Sequence, residues 1–172
     1  MKHNKLLGFI ALPFLAVTLV AQEVEEVVIT GSYIKSSPTD GASPVEIIGR
    51  DEIDNLNATT IADITANIAV NSGSENNSDS FTQGSTQGTS NINLRGLGLS
   101  STLVLVEGKR HTLAGNTAND GSVFVNTSSI PVIALDRVEV LKEGAASIYG
   151  SDAVAGVVNY ILRKDFTGLE VE

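Results

Sequence analysis

Beyond its first twenty-one residues the 172-residue chain holds one histidine, His111, and no cysteine. An imidazole can serve as general base or metal ligand, but here no second His or Cys stands nearby to share a metal. The residue reads as a solvated loop histidine. Asp51, Glu52 and Asp54 place three carboxylates within four residues, the raw material of acid–base chemistry or cation binding. They fall at an expected helix start, where the helix dipole favours anions without any chemistry. Two glycine-containing runs could cradle phosphate. GLGLSS (Gly96 to Ser101) lacks the third glycine of a dinucleotide loop, and Gly108-Lys109-Arg110 lacks the upstream glycine and the following Ser or Thr of a P-loop. No catalytic residue, cofactor or metal site follows, and the chain is not expected to be an enzyme.

What remains is the chemistry of the backbone itself. In EEVVITGSYI (Glu25 to Ile34) the β-branched residues Val27, Val28, Ile29 and Thr30 stand between acids and Gly31-Ser32. Such a run favours an extended strand. It has no matching strand before it, and Gly31, Pro38, Gly41 and Pro44 follow closely.

The elements that position these residues begin with an export signal. Lys2 and Lys5 precede an uncharged, largely apolar run, Leu6 to Val20, that ends at small Ala21. This is the pattern of a secretory signal peptide over residues 1–21, too short and too broken by Pro13 to span a bilayer comfortably. Without Lys2 and Lys5 the 11 basic residues become 9 against 20 acidic ones, a net charge of 9 − 20 = −11. Nucleic acid, whose binding rests on cationic neutralisation of phosphates, is excluded as a partner on this balance. About 150 residues remain, enough for one domain with a modest core and no disulfide.

Residues 22–43 read as an extended, flexible arm. Beyond it, PVEII (Pro44 to Ile48) is a short strand, and the spacing of Ile53, Leu56, Ile61, Ile64 and Ile68 predicts two short amphipathic helices. Thr59 or Thr60 can cap the second, with Asp63 in its first turn. Asn71 to Ser90 is almost wholly Ser, Thr, Asn, Gln and Gly, with Phe81 its one side chain suited to burial. It reads as a long surface loop, either a passive linker or a functional one. Strand signals return at INLRG (Ile92 to Gly96), TLVLVEG (Thr102 to Gly108), RVEVLKEG (Arg137 to Gly144) and Gly156 to Arg163. Leu103 to Val106, apolar on both faces, is expected to be a central strand. EGKR (Glu107 to Arg110) is a turn that folds a short strand back beside it. A second polar loop follows from His111, and Ser129-Ile130-Pro131 suits a brief helix start.

RVEVLKEGAASIYGSDAVAGVVNYILRK (Arg137 to Lys164) resembles the closing signature of the plug domain of TonB-dependent outer-membrane receptors. NLRGLG (Asn93 to Gly98) and LVLVEGKR (Leu103 to Arg110) are similar to that family's other plug motifs, in the same order. EEVVITG (Glu25 to Gly31) resembles its TonB box. The resemblance implies an α+β fold, a small mixed sheet with short helices, over residues 44–164. It implies a coupling role in which Glu26, Val27, Val28, Ile29, Thr30 and Gly31 add as a strand to the TonB C-terminal domain. The bottom-up alternative for that run is an ordinary edge strand of the domain.

The same resemblance places Arg95 and Lys142 where the family's cations face acidic residues of the surrounding β-barrel, although both also suit a solvated surface. Lys142 stands where Arg is commoner, and a Lys cannot form the bidentate carboxylate pair. The polar loops Asn71 to Ser90 and His111 to Asn126 become apices facing the ligand, with Phe81, Gln83, Asn116, Asn119 and Asp120 as contact residues. They are polar and, Asp120 apart, uncharged, with no cluster of Lys or Arg to hold an anionic iron chelate, which favours a neutral saccharide or peptide over a siderophore. Residues 165–172, ending in GLEVE, would open the first barrel strand, so these 172 residues are not expected to form the barrel. The competing reading is a free-standing periplasmic binding or adaptor domain.

Overall fold

The computed structural model describes Thr30, residues 45–75, Gly84 and residues 86–164. Its centre is a five-stranded sheet in the order β1-β4-β5-β2-β3, with β1 Val45–Gly49, β2 Thr102–Val106, β3 Lys109–Arg110, β4 Leu135–Leu141 and β5 Gly156–Leu162. Strands β2 and β5 run parallel and every other neighbouring pair is antiparallel, so the sheet is mixed as expected. Leu103, Val104 and Leu105 of β2 are buried on both faces of a strand with neighbours on either side, the environment their uninterrupted apolar run requires.

One face of the sheet carries Val104, Val138, Val140, Val158 and Tyr160. Against it pack Ile53 from helix α1 (Arg50–Asn55) and Ile61 and Ile64 from α2 (Ile61–Ala66), followed by Ile68. The isoleucine spacing therefore does define the buried stripe. Thr60 caps α2 in a full capping box: its hydroxyl accepts from the Asp63 amide at 3.3 Å, and Asp63 accepts from the Thr60 amide at 2.8 Å. The opposite face carries Leu103, Leu105, Leu141 and Val157, covered by Ala145 and Ala153. These alanines belong to a compact turn built around helix α3 (Ala146–Tyr149), closed by the Ala145 amide donating to the Ala153 carbonyl at 2.8 Å. At Gly144 a Cβ would stand 2.9 Å from the Val154 carbonyl oxygen, so the turn closes only without a side chain there.

Two expectations are corrected. Ile92 to Arg95 does not join the sheet; it makes a single antiparallel bridge, Leu94 with Asn71. Arg95 and Gly96 adopt positive φ of 58° and 64°, which ends any extended run. The segment's amides find side-chain acceptors instead: Leu94 donates to Thr102 Oγ1 at 3.0 Å and Asn93 to Asn71 Oδ1 at 3.0 Å. The polar stretch before it is also not wholly a surface loop, because Thr86, Thr89 and Ser90 are buried. Ser90 Oγ lies 2.7 Å from Thr127 Oγ1, and the Thr127 amide donates to the Ser90 carbonyl at 2.8 Å. Burial is tolerated because these polar groups bond to one another.

Candidate functional site

Glu139 and Asn159 stand directly opposite each other on β4 and β5, on the sheet face away from α1 and α2. Both are fully buried, and Thr30, the one residue of the β-branched arm that the structure describes, is buried beside them. The Thr30 hydroxyl donates to Glu139 Oε2 and accepts from Asn159 Nδ2 at 2.9 Å. Arg137 Nε meets the other carboxylate oxygen at 3.0 Å, and the Gly108 amide donates to Asn159 Oδ1 at 3.0 Å. Every polar atom of this cluster thereby has a partner, which is what makes a carboxylate tolerable with no exposed surface.

The turn beside the cluster is equally well tied. Glu107 and Gly108 both take positive φ, 52° and 72°, reversing β2 into the short β3. The Glu107 carboxylate accepts the Leu162 amide at 2.7 Å and meets Lys164 Nζ at 3.1 Å, and the amide bond first, with the lysine second, holds it below the usual carboxylate range. At the far end of β3, Arg110 bonds Asp152, with one contact at 3.1 Å, and the Tyr149 carbonyl. That guanidinium lowers the Asp152 carboxyl.

The expected ligand-facing residues divide. Phe81 and Gln83 lie outside the described residues, as do Glu26 to Ile29, Gly31 and residues 165–172. Asn119 and Asp120 are exposed, and Asn116 is half-buried. Asn119 joins the two polar loops: its amide and Nδ2 both donate to the Glu75 carboxylate at 3.2 Å. Asp120 Oδ1 accepts the Ser122 amide at 2.8 Å and its hydroxyl at 2.6 Å, a local turn contact. Below this loop a groove of about 290 Å³ runs between Leu99, Leu113, Phe124 and Val104, with Arg110 and Asp152 at its wall.

Arg95 and Lys142 are both anchored within the described residues. Arg95 donates to the Ala155 carbonyl at 2.8 Å and the Val154 carbonyl at 3.3 Å, and Lys142 Nζ lies 3.1 Å from Glu46 Oε2. His111 lies beside the Thr112 carbonyl at 3.2 Å, and no group of three metal-binding side chains occurs among the described residues. Tyr160 is entirely buried, and desolvation pushes its phenol well above the usual range. Glu139, Asn159 and Arg137 were not marked by sequence reasoning. Their one signal is an acid and an amide lying mid-strand in apolar runs, VEVL and VVNYI.

The family model for the TonB-dependent receptor plug domain matches residues 37–157, most of the chain. The protein belongs to that family. An iron-regulated outer membrane virulence protein of Vibrio cholerae is 40% identical over 78 residues, which cover 45% of this chain and 12% of that protein. The fold resembles the ferric enterobactin receptor of Pseudomonas aeruginosa, solved with enterobactin, at a TM-score of 0.55 and 27% identity, over 73% of this chain and 18% of that one. It also resembles the siderophore receptor PirA of Acinetobacter baumannii at a TM-score of 0.51 and 28% identity, over 70% and 17%. The matched part of this chain thus spans less than a fifth of the length of these relatives.

Proposed function

We propose that the chain is the plug of a TonB-dependent outer-membrane receptor, gating a β-barrel and coupling TonB to ligand uptake. The observation that carries this reading is the family match over residues 37–157, on a mixed sheet that resembles the plug portions of solved siderophore receptors. Residues Glu26, Val27, Val28, Ile29, Thr30 and Gly31 form the TonB box. Their backbone adds as a strand to the TonB C-terminal domain, where hydrogen bonds supply attachment and alternate side chains supply fit. Pull on the arm displaces or partly unfolds the plug and opens a path through the barrel. Export through the signal segment at residues 1–21 and the names of the relatives support an outer-membrane location.

Arg95 and Lys142 are the barrel-facing cations in this reading. Both start from defined anchors, Arg95 on the Val154 and Ala155 carbonyls and Lys142 on Glu46. Asn116, Asn119 and Asp120, with Phe81 and Gln83, face the ligand. The relatives named as siderophore receptors shift the ligand class from a neutral saccharide or peptide toward a ferric siderophore, with barrel loops supplying the charge that the plug loops lack. The work of the chain is mechanical and requires no catalytic group.

Calorimetric titration of the chain with a purified TonB C-terminal domain, beside the Ile29→Pro variant, tests the assignment. Proline removes a ladder donor and strains an added strand. Binding that is lost in the variant supports the TonB box, and equal binding by both forms removes it.

A further inference from the structure

Glu107 carries a long side chain in a backbone conformation that favours glycine, with φ at +52°. Gly108 beside it takes +72° at no steric cost, so the strain of the reversal from β2 to β3 falls on Glu107. A residue kept only to make the turn would be Gly, Asn or Asp, which tolerate positive φ. The carboxylate of Glu107 is spent elsewhere, on β5.

The paired register of β2 and β5 ends at Val106 opposite Tyr160, and the Glu107 amide adds one rung by donating to the Tyr160 carbonyl at 3.0 Å. In a continuing parallel ladder the next rung would run from the Leu162 amide back to the Glu107 carbonyl. The Leu162 amide donates instead to Glu107 Oε1, at 2.7 Å. The side chain thus takes over the rung where its own backbone leaves for β3. Its second oxygen, Oε2, meets Lys164 Nζ at 3.1 Å. On the other side of β5 the Arg163 amide donates to the Ala134 carbonyl at 2.9 Å, and the Arg163 guanidinium to the Ile133 carbonyl at 3.2 Å. Residues 162, 163 and 164 are therefore gripped from alternate sides as the chain leaves the sheet.

We propose that Glu107 is a positioning residue that fixes the direction in which the chain leaves the sheet, its carboxylate replacing the missing rung to Leu162 and holding Lys164. Both of its oxygens go to the exit of β5, and the strained turn is what aims them there. The consequence for uptake rests on the reading of the chain as a plug. In that reading residues 165–172 lead into the barrel wall, and Glu107 sets how the plug is seated within it.

Hydrogen exchange at single amides of the full chain, read by nuclear magnetic resonance beside urea unfolding, separates positioning from stability. Glu107→Gly removes the carboxylate and the strain together. The Leu162 amide should then exchange about tenfold faster, the scale of one hydrogen bond to a charged group. The urea midpoint should stay the same or rise, because glycine suits the turn. Glu107→Gln keeps an acceptor of the same length and should hold the Leu162 rate within about threefold of native. The chain has no cysteine, so nitroxides at Asp51→Cys on α1 and Asp165→Cys read the exit direction itself. Glu107→Gly should broaden the distance distribution of that pair, and Glu107→Gln should restore it. Native exchange at Leu162 in Glu107→Gly, acceleration shared equally by amides across the sheet, or a Glu107→Gln rate as fast as that of Glu107→Gly would overturn the assignment. Neither readout involves TonB or a barrel, so its failure leaves the plug reading standing, and a failed TonB titration leaves the role of Glu107 standing.

Discussion

Gly156 lies so close to Leu141 that a Cβ placed on it would stand 2.4 Å from the Leu141 carbonyl oxygen. The same atom would meet Leu94 Cδ1 at 2.7 Å, and φ is +149°, a conformation that L side chains rarely adopt. Gly156 opens β5 opposite Thr102 of β2, where the parallel pairing that joins the two halves of the sheet begins. Gly156→Ala should therefore lower stability by about 2–4 kcal/mol, the sum of overpacking and backbone strain. A urea unfolding curve with an unchanged midpoint would contradict this.

Arg137 and Glu139 form an ion pair in which the Glu139 side chain has no exposed surface and the Arg137 side chain 13%. Removing one partner of a buried pair leaves the other charge uncompensated. Arg137→Ala is expected to cost about 3–5 kcal/mol. Replacing both residues by apolar ones of similar volume should recover much of the loss, which denaturant titration of the three forms would measure.

The α2 capping box gives a mutation and a pH prediction. Thr60→Ala should cost about 1 kcal/mol in thermal or chemical unfolding. Hydrogen bonds from the Thr60 backbone, then from its side chain and Thr59, hold the Asp63 carboxyl below its ordinary value of 3.8. A group depressed on folding stabilises above its unfolded value and loses that contribution as pH falls through the folded one. Stability should thus decline below about pH 4 through this group, by a modest amount because the carboxylate is exposed to solvent. In Asp63→Asn that part of the acid limb should be absent.

The tie between the polar loops should be local. Glu75→Ala removes the acceptor of the Asn119 amide and side chain. Global stability should stay within about 0.5 kcal/mol, while amide hydrogen exchange at Asn119 accelerates. Slow exchange retained at Asn119 would show that another contact holds the loop.

Much of the fold was legible because its determinants are local. The continuous apolar run of β2, the Gly-bounded β5 and the Thr60–Asp63 cap each lie within a few residues of sequence. Ile92 to Arg95 misled because its alternation suits a strand, while the partners that hold it, Asn71 and Thr102, are distant or part of another element. Thr86, Thr89 and Ser90 misled because composition treats polar residues as solvated, and their burial depends on Thr127 and on one another. Glu139 reads in sequence as the solvent-facing alternate between Val138 and Val140. Its burial follows from Asn159 across the strand pair and Thr30 from the arm, contacts of long sequence separation.

The central claim, that residues 26–31 add as a strand to TonB, is tested most directly by disulfide cross-linking. With no native cysteine, Val28→Cys provides a unique thiol, and Ser37→Cys provides a control further along the arm. Each is mixed with a TonB C-terminal domain bearing one cysteine on its exposed edge strand. Cross-linking at residue 28, weak at residue 37 and lost when Ile29→Pro is added to Val28→Cys, is the predicted result. Equal cross-linking at both positions, or at residue 28 regardless of the proline, would contradict strand addition at the arm.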